Sequence, residues 1–296
     1  VPRAAASVTD PPPQATNTEP PIGTGGTLDD LLYELVRIAG TWSPAGRTSL
    51  AVITSGGDLH GVNQNRQHTS ASAVKALWTA AAIQLAGIDA AAPLVRATLA
   101  HSDNHAAGQM IDLAGIDAVD EWTRDSAGLT STRLACWSFG RRRIARSALD
   151  GGGCGNRTTA ADMARFYARL HGDQLLDPER TATLIAWLRD TPRGSASAVG
   201  VGGALLARLP PAVAAEATHK AGWLPPGCCR NDHRLIIDAG GVPLPSGEWF
   251  AIAAVADRGR NYDHSVRWVG YAACRVYKYL AADRLHRCEI PGDPVS

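Results

Sequence analysis

Strand-like stretches stand near both ends of this 296-residue chain, with a block of helical pattern between them. Residues 50–53 and 59–62 read as two strands around the turn Ser55-Gly56-Gly57-Asp58. Residues 218–223, 234–238 and 249–255 read as three more. Helical spacing covers 28–38, 71–86, 90–101, 104–114 and 116–127. Two further helices follow Thr158 or Thr159 and the group Asp177-Pro178-Glu179, where Pro suits a first helical turn. A closing helix is expected over 264–285, and 128–157 lacks a period and reads as a long loop. The order predicts an α+β fold: one antiparallel sheet built from both ends, flanked by helices, with an all-helical subdomain inserted.

The domain expectation is a Pro/Thr-rich tether over 1–26, a domain over 27–288 and a tail over 289–296. Within the domain, 27–68 and 192–288 form the α/β part and 69–191 the helical part. The tether holds Pro11-Pro12-Pro13 and Pro20-Pro21 and cannot bury much surface. A formal net charge of +1 gives no electrostatic case for a nucleic-acid partner. Six cysteines without C-x-x-C spacing favour disulfides in an oxidising compartment over a metal site. Local pairings Cys136–Cys154 and Cys274–Cys288 are preferred; Cys228 and Cys229 are adjacent and are left open.

Lysine usage is the next constraint. The chain has three lysines, Lys75, Lys220 and Lys278, and arginine supplies nearly all other positive charge. Only lysine can lose its proton when desolvated. Lys75 closes the cluster Ser72-Ala73-Val74-Lys75, and Lys220 opens Lys220-Ala221-Gly222. Between them lies Ser102-Asp103-Asn104. On a helix, Ser72 and Lys75 share one face about a turn apart. An unprotonated amine there could take the proton of a serine hydroxyl, and like charge from Lys220 would favour the unprotonated form.

The three clusters, in this order, resemble the serine β-lactamase and penicillin-binding protein family, of class A type. The stretches Ala100-His101-Ser102-Asp103-Asn104-His105-Ala106-Ala107 and Thr158-Thr159-Ala160-Ala161-Asp162-Met163 are similar to the family's segments at those points. The resemblance extends over about residues 27–286 and implies that family's architecture. It implies Ser72 as nucleophile, Lys75 as base, Ser102 as proton relay and Lys220 as the cation steering a substrate carboxylate. It implies Asn104, Gly222 and Trp223 as substrate-binding positions. The N–H groups of Ser72 and Trp223 would hold the oxyanion. Asp103 would be structural. The substrates implied are β-lactams, D-Ala-D-Ala-like peptides or small esters, with no cofactor and no metal.

The chain departs from the pattern in three ways. The family's deacylating glutamate is missing, since residues 122–178 contain no glutamate. Asp150 is a shorter candidate substitute, but an aspartate beside a glycine run reads first as a turn residue. The third cluster reads K-A-G, so Ala221 lacks a hydroxyl that would help bind a carboxylate. The segment between Lys75 and Ser102 is short for the family. Slow deacylation is therefore expected, and the competing expectation is a catalytically degenerate binding or scaffold protein of the cell envelope. The tether and alanine-rich composition are similar to actinobacterial, including mycobacterial, alanine-rich lipoproteins. The expected location is accordingly extracytoplasmic, secreted or lipid-anchored to the envelope, and the expected state is a monomer.

Other features have blander readings. His101 and His105 are four apart but lack a third ligand, so polar helix surface is favoured over a metal pair. Arg141, Arg142, Arg143 and Arg146 are expected to be solvated or paired with acids, ahead of binding an anionic envelope partner. Asn156-Arg157-Thr158 matches a glycosylation sequon, and a capping role for Thr158 explains it as well.

Overall fold

A computed structural model describes residues 26–41, 47–149, 155–191, 203–227, 234–283 and 285–288. The expected tether and tail, Asp150, Cys154, Cys228 and Cys229 lie outside the described residues, apart from Gly26. The chain begins with α1 (Leu28–Ala39), β1 (Thr48–Thr54), β2 (Leu59–Val62) and β3 (His68–Thr69). A 3-10 turn (Ala71–Val74) leads into α2 (Lys75–Ala86), followed by α3 (Ile88–Val95), α4 (Asn104–Ala114) and α5 (Ile116–Glu121). Then come the short strands β4 (Arg133–Leu134), β5 (Cys136–Trp137), β6 (Arg143–Ile144) and β7 (Asn156–Thr158). The rest is α6 (Ala160–His171), α7 (Pro178–Arg189), α8 (Pro211–Glu216), β8 (Thr218–Leu224), β9 (Leu235–Pro243), β10 (Trp249–Ala256) and α9 (Tyr262–Leu280).

The two ends of the chain do meet. One antiparallel sheet has the order β2-β1-β10-β9-β8, with β1 against β10 from Thr48↔Ala256 to Thr54↔Phe250. Alternation along these strands feeds two apolar cores, one on each face of the sheet. Ala51, Ile53, Ile237, Ala239 and Val255 point to the core shared with α2, α4 and α6. Leu50, Val52, Ile236, Ile252 and Ala254 point to the core shared with α1 and α9. This is an α+β arrangement, as the order of elements predicts.

Local chemistry explains the boundaries. Thr27 and Asp30 form a reciprocal capping box at the start of α1. Gly87, at φ +97°, ends α2. Thr159, not Thr158, caps α6, because its side chain accepts from the Asp162 N–H; the Thr158 hydroxyl instead bonds that of Thr132 at 2.8 Å. Residues 71–86 are not one continuous helix, since the first turn is 3-10. Strand β9 runs five residues past the expected end. Glycine hid it, and glycine is needed there: a Cβ on Gly240 would lie 2.2 Å from Thr218 O, and one on Gly241 2.2 Å from the His171 ring. The closing helix ends at Leu280, and α8 has no counterpart among the expected elements.

Cys274 and Cys288 form a disulfide, as preferred from the sequence. Cys136 is also disulfide-bonded. The Cys274–Cys288 bridge pins the segment after α9 to a helix that supplies much of one core. With a sequence separation of 14, removing it should cost about 3 kcal/mol of stability on chain-entropy grounds. We expect the C274A/C288A variant to melt several degrees lower while retaining its far-UV circular dichroism, checked by thermal unfolding.

Candidate active site

Ser72 with Lys75, Ser102, and Lys220 come from three separate pieces of chain, and the two lysines meet at the Ser102 hydroxyl. Lys75 is fully buried at the start of α2, one turn beyond Ser72. Its Nζ donates to Asn104 Oδ1 at 2.7 Å, to Ser102 Oγ at 3.1 Å and to the Ser102 carbonyl. From the edge strand β8, Lys220 Nζ donates to the same Ser102 Oγ at 3.2 Å and to Ala221 O at 2.8 Å. A hydroxyl has two acceptor sites and one proton. With both lysines charged, both acceptor sites of Ser102 are taken by the two Nζ groups, and its own hydrogen is free to be donated elsewhere.

Backbone strain marks both serine positions. Ala71, immediately before Ser72, has φ +45°, and Ser102 has φ +53°. Non-glycine residues in this region cost of order 1–3 kcal/mol and persist where surroundings over-determine them. At Ser102 the surroundings are evident: two lysines hold its hydroxyl, and Asp103 caps α4 by accepting from the Ala106 N–H at 2.6 Å. Asp103 is exposed and structural; the Ala106 N–H holds its carboxyl below the usual range.

Gly222 lets β8 lie against the Ser72 turn. A Cβ there would sit 2.4 Å from Ala73 N, 2.6 Å from Ser72 N and 3.0 Å from Ser70 O. All three are backbone atoms and cannot swing aside, so only glycine brings the strand this close. Trp223 follows on the same strand, its ring centroid 5.8 Å from Lys220 Nζ. The Ser72 hydroxyl makes no hydrogen bond among the described residues, because Lys75 is engaged by Ser102 and Asn104.

Electrostatics favours an uncharged Lys75. Burial, then the like charge of Lys220, push it down to about 7, with Asp103 opposing weakly. A fall from 10.5 to about 7 corresponds to roughly 5 kcal/mol. Burial also lowers Lys220, to about 8, opposed by Asp238 across the strand pair. Near neutral pH the arrangement thus favours one amine and one ammonium. When Lys75 gives up its proton, the Ser102 hydroxyl can turn and donate to it.

One residue on this site was hidden in the aperiodic stretch. The Trp137 ring centroid lies 5.8 Å from Lys75 Nζ, and its Nε1–H donates to Asn104 O at 3.0 Å. The loop carrying it is tied down by acids on three helices. Asp112 on α4 pairs with Arg141 and Arg143, Asp120 on α5 accepts from the Leu134 N–H and Ser147, and Asp162 on α6 accepts from the Ser131 N–H and Thr132. With Arg146 on Asp117, three of the four arginines of the basic cluster are paired with acids. The Asn156 side chain of the sequon is engaged by both backbone groups of Cys136. His101 and His105 are exposed, and no group of three potential metal ligands occurs among the described residues.

A model of the β-lactamase enzyme family matches residues 90–280, more than half of the chain. The chain belongs to that family. Solved structures agree on the fold. A β-lactamase from Sphaerobacter thermophilus has 19% identity and a TM-score of 0.66, covering 86% of this chain and 97% of its own. A class A β-lactamase from Bacteroides cellulosilyticus has 17% identity and a TM-score of 0.65, covering 88% and 100%. A mutant of PBP-A, solved as an acyl-enzyme complex with penicillin G, has 17% identity and a TM-score of 0.63, covering 86% and 98%. No curated protein sequence matches significantly. The fold of this family member is therefore that of the β-lactamase-like serine hydrolases.

Gly222→Ala is the sharpest test of the geometry. A methyl group must push β8 off the Ser72 turn, so covalent labelling of Ser72 should fall by at least ~100-fold, given how steeply a misplacement of about 1 Å acts on rate. Mass spectrometry against time reads this directly.

Proposed function

We propose that this protein is a serine acyl-enzyme hydrolase that is acylated by β-lactams or D-Ala-D-Ala-like peptides and releases the acyl group slowly. The observation that carries the reading is the shared Ser102 hydroxyl, held by Lys75 and Lys220 at 3.1 and 3.2 Å. Neutral Lys75 takes the Ser72 proton as Oγ attacks the carbonyl carbon. The N–H groups of Ser72 and Trp223 receive the developing oxyanion. As the C–N bond breaks, Ser102 passes its proton to the leaving nitrogen and regains one from protonated Lys75. Lys220 steers the substrate carboxylate, and Asn104 orients the substrate amide while holding Lys75.

Deacylation then needs a base for water. Among the described residues no carboxylate hydrogen-bonds Lys75, and residues 122–178 contain no glutamate. Ala221 withdraws one hydrogen bond from a bound carboxylate, roughly 1.5–3 kcal/mol of binding. Both features favour weak binding and a long-lived adduct over rapid turnover. The oxidising location implied by the disulfides favours an extracytoplasmic enzyme meeting envelope-derived peptides.

Incubation with penicillin G followed by intact-mass analysis should show one adduct that maps to Ser72 and disappears in S72A. An adduct or ester hydrolysis unchanged in S72A would favour a scaffold role. The acylation rate should rise with pH through about 7, as Lys75 loses its proton, and fall above about 8, as Lys220 loses its charge. The two midpoints belong to the coupled pair. A flat profile between pH 6 and about 9 would contradict a lysine base.

A further inference from the structure

The wall facing Lys75 is aromatic where a hydrolase that turns over needs a base and a water. Lys75 Nζ bonds the Ser102 carbonyl, the Ser102 hydroxyl and the Asn104 side chain, and the Trp137 ring lies across from these partners. Trp137 is held from several sides. Its ring stands edge-on to Trp78, with centroids 4.6 Å apart, and Trp78 lies one turn beyond Lys75 on α2. Phe139 also packs against it, with ring centroids 5.0 Å apart. The backbone of Trp137 pairs with Arg143, whose guanidinium is locked on Asp112. Cys136, just before it, is disulfide-bonded and gripped by Asn156.

Phe139 is unlike the rest of this assembly, because it is 45% exposed. An aromatic ring left in water beside a half-buried indole continues the apolar wall outward to the surface. Hydrogen bonds or ion pairs hold the loop at Arg133, Arg141, Arg143 and Ser147, so the wall does not rest on loop flexibility.

We propose that Trp137, continued to the surface by Phe139, is a positioning residue that keeps hydrolytic water away from the acyl-enzyme and so sets its lifetime. The inference rests on the acyl-enzyme reading above. In deacylation the oxygen of water bonds to the acyl carbon while one of its protons passes to the Lys75 amine. The bond from the acyl carbon to Ser72 Oγ then breaks, and Oγ takes that proton back from Lys75. One water is consumed, and the acid and free serine are released. A ring facing Lys75 presents carbon rather than a hydrogen-bond partner to water on that side. The wall should therefore act more on the second half-reaction, which consumes water, than on the first.

The test separates the two half-reactions in the full-length protein. Wild type, W137A, W137F and F139A are acylated with penicillin G, excess reagent is removed, and intact-mass analysis follows loss of the adduct. The acylation rate constant is measured on the same preparations between pH 6 and about 9. W137A should shorten the adduct half-life by at least ~10-fold, a clearly larger factor than its effect on the acylation rate. W137F keeps the apolar ring but loses the N–H to Asn104, and its half-life should stay within ~3-fold of wild type. F139A, at an exposed position, should fold normally and shorten the half-life by ~2–5-fold. If W137A fails to fold, the F139A and W137F results decide. Half-lives unchanged in F139A, or in a folded W137A, would overturn the proposal. So would equal losses in both half-reactions, which indicate a merely structural role. A wild type with no Ser72 adduct would overturn the acyl-enzyme reading and this inference together, whereas a stable adduct indifferent to Trp137 and Phe139 would overturn this inference alone.

Discussion

Two lysine side chains share one hydroxyl, and the rest of the structure is arranged to allow it. Placing Lys75 and Lys220 together in a dry interior is unfavourable for both as charged groups. The conflict is relieved if one of them gives up its proton. Lys75 is the more strongly depressed, to about 7, while Lys220 stays near 8 with Asp238 behind it. The result is an amine beside a serine and an ammonium beside a substrate site, obtained from two copies of the same side chain. Arginine could fill neither role in this way, because it does not deprotonate. A chain so rich in arginine nevertheless has lysine at both positions.

The scaffold supplies close approach and strain. The sheet brings the two ends of the chain together, which places β8 beside the helical block. Gly222 removes the last obstacle between β8 and the Ser72 turn. Positive φ at Ala71 and Ser102 then sets the two serine-bearing turns at angles an ordinary helix would not give. None of these features does chemistry itself. Together they fix where a carbonyl would sit.

Much of this was legible in the sequence, for identifiable reasons. Strong periodicity located α1, α4 and α6, and Pro178 after Asp177 marked the start of α7. Scarce lysine and three ordered clusters pointed to Ser72, Lys75, Ser102, Asn104, Lys220 and Gly222; in the structure hydrogen bonds join Lys75, Ser102, Asn104 and Lys220, and Gly222 lies against the Ser72 backbone. Two things were hidden. Glycines 240 and 241 masked the second half of β9, because close approach to β8 and α6, not strand propensity, decides those positions. Trp137 was hidden because its loop has no period. Its place is set by distant acids on α4, α5 and α6 and by the Asn104 carbonyl, and no local pattern records such contacts.

The central claim is that Lys75 is substantially uncharged at neutral pH. The chain's three lysines make this directly measurable. With lysine labelled at its side-chain carbon and nitrogen, NMR titration should give three resolvable signals, assigned by K75R and K220R. The account requires the Lys75 signal to move with a midpoint near 7 and the Lys220 signal near 8. A Lys75 signal that stays fully protonated until pH approaches 10.5, the value of a free lysine, would contradict it.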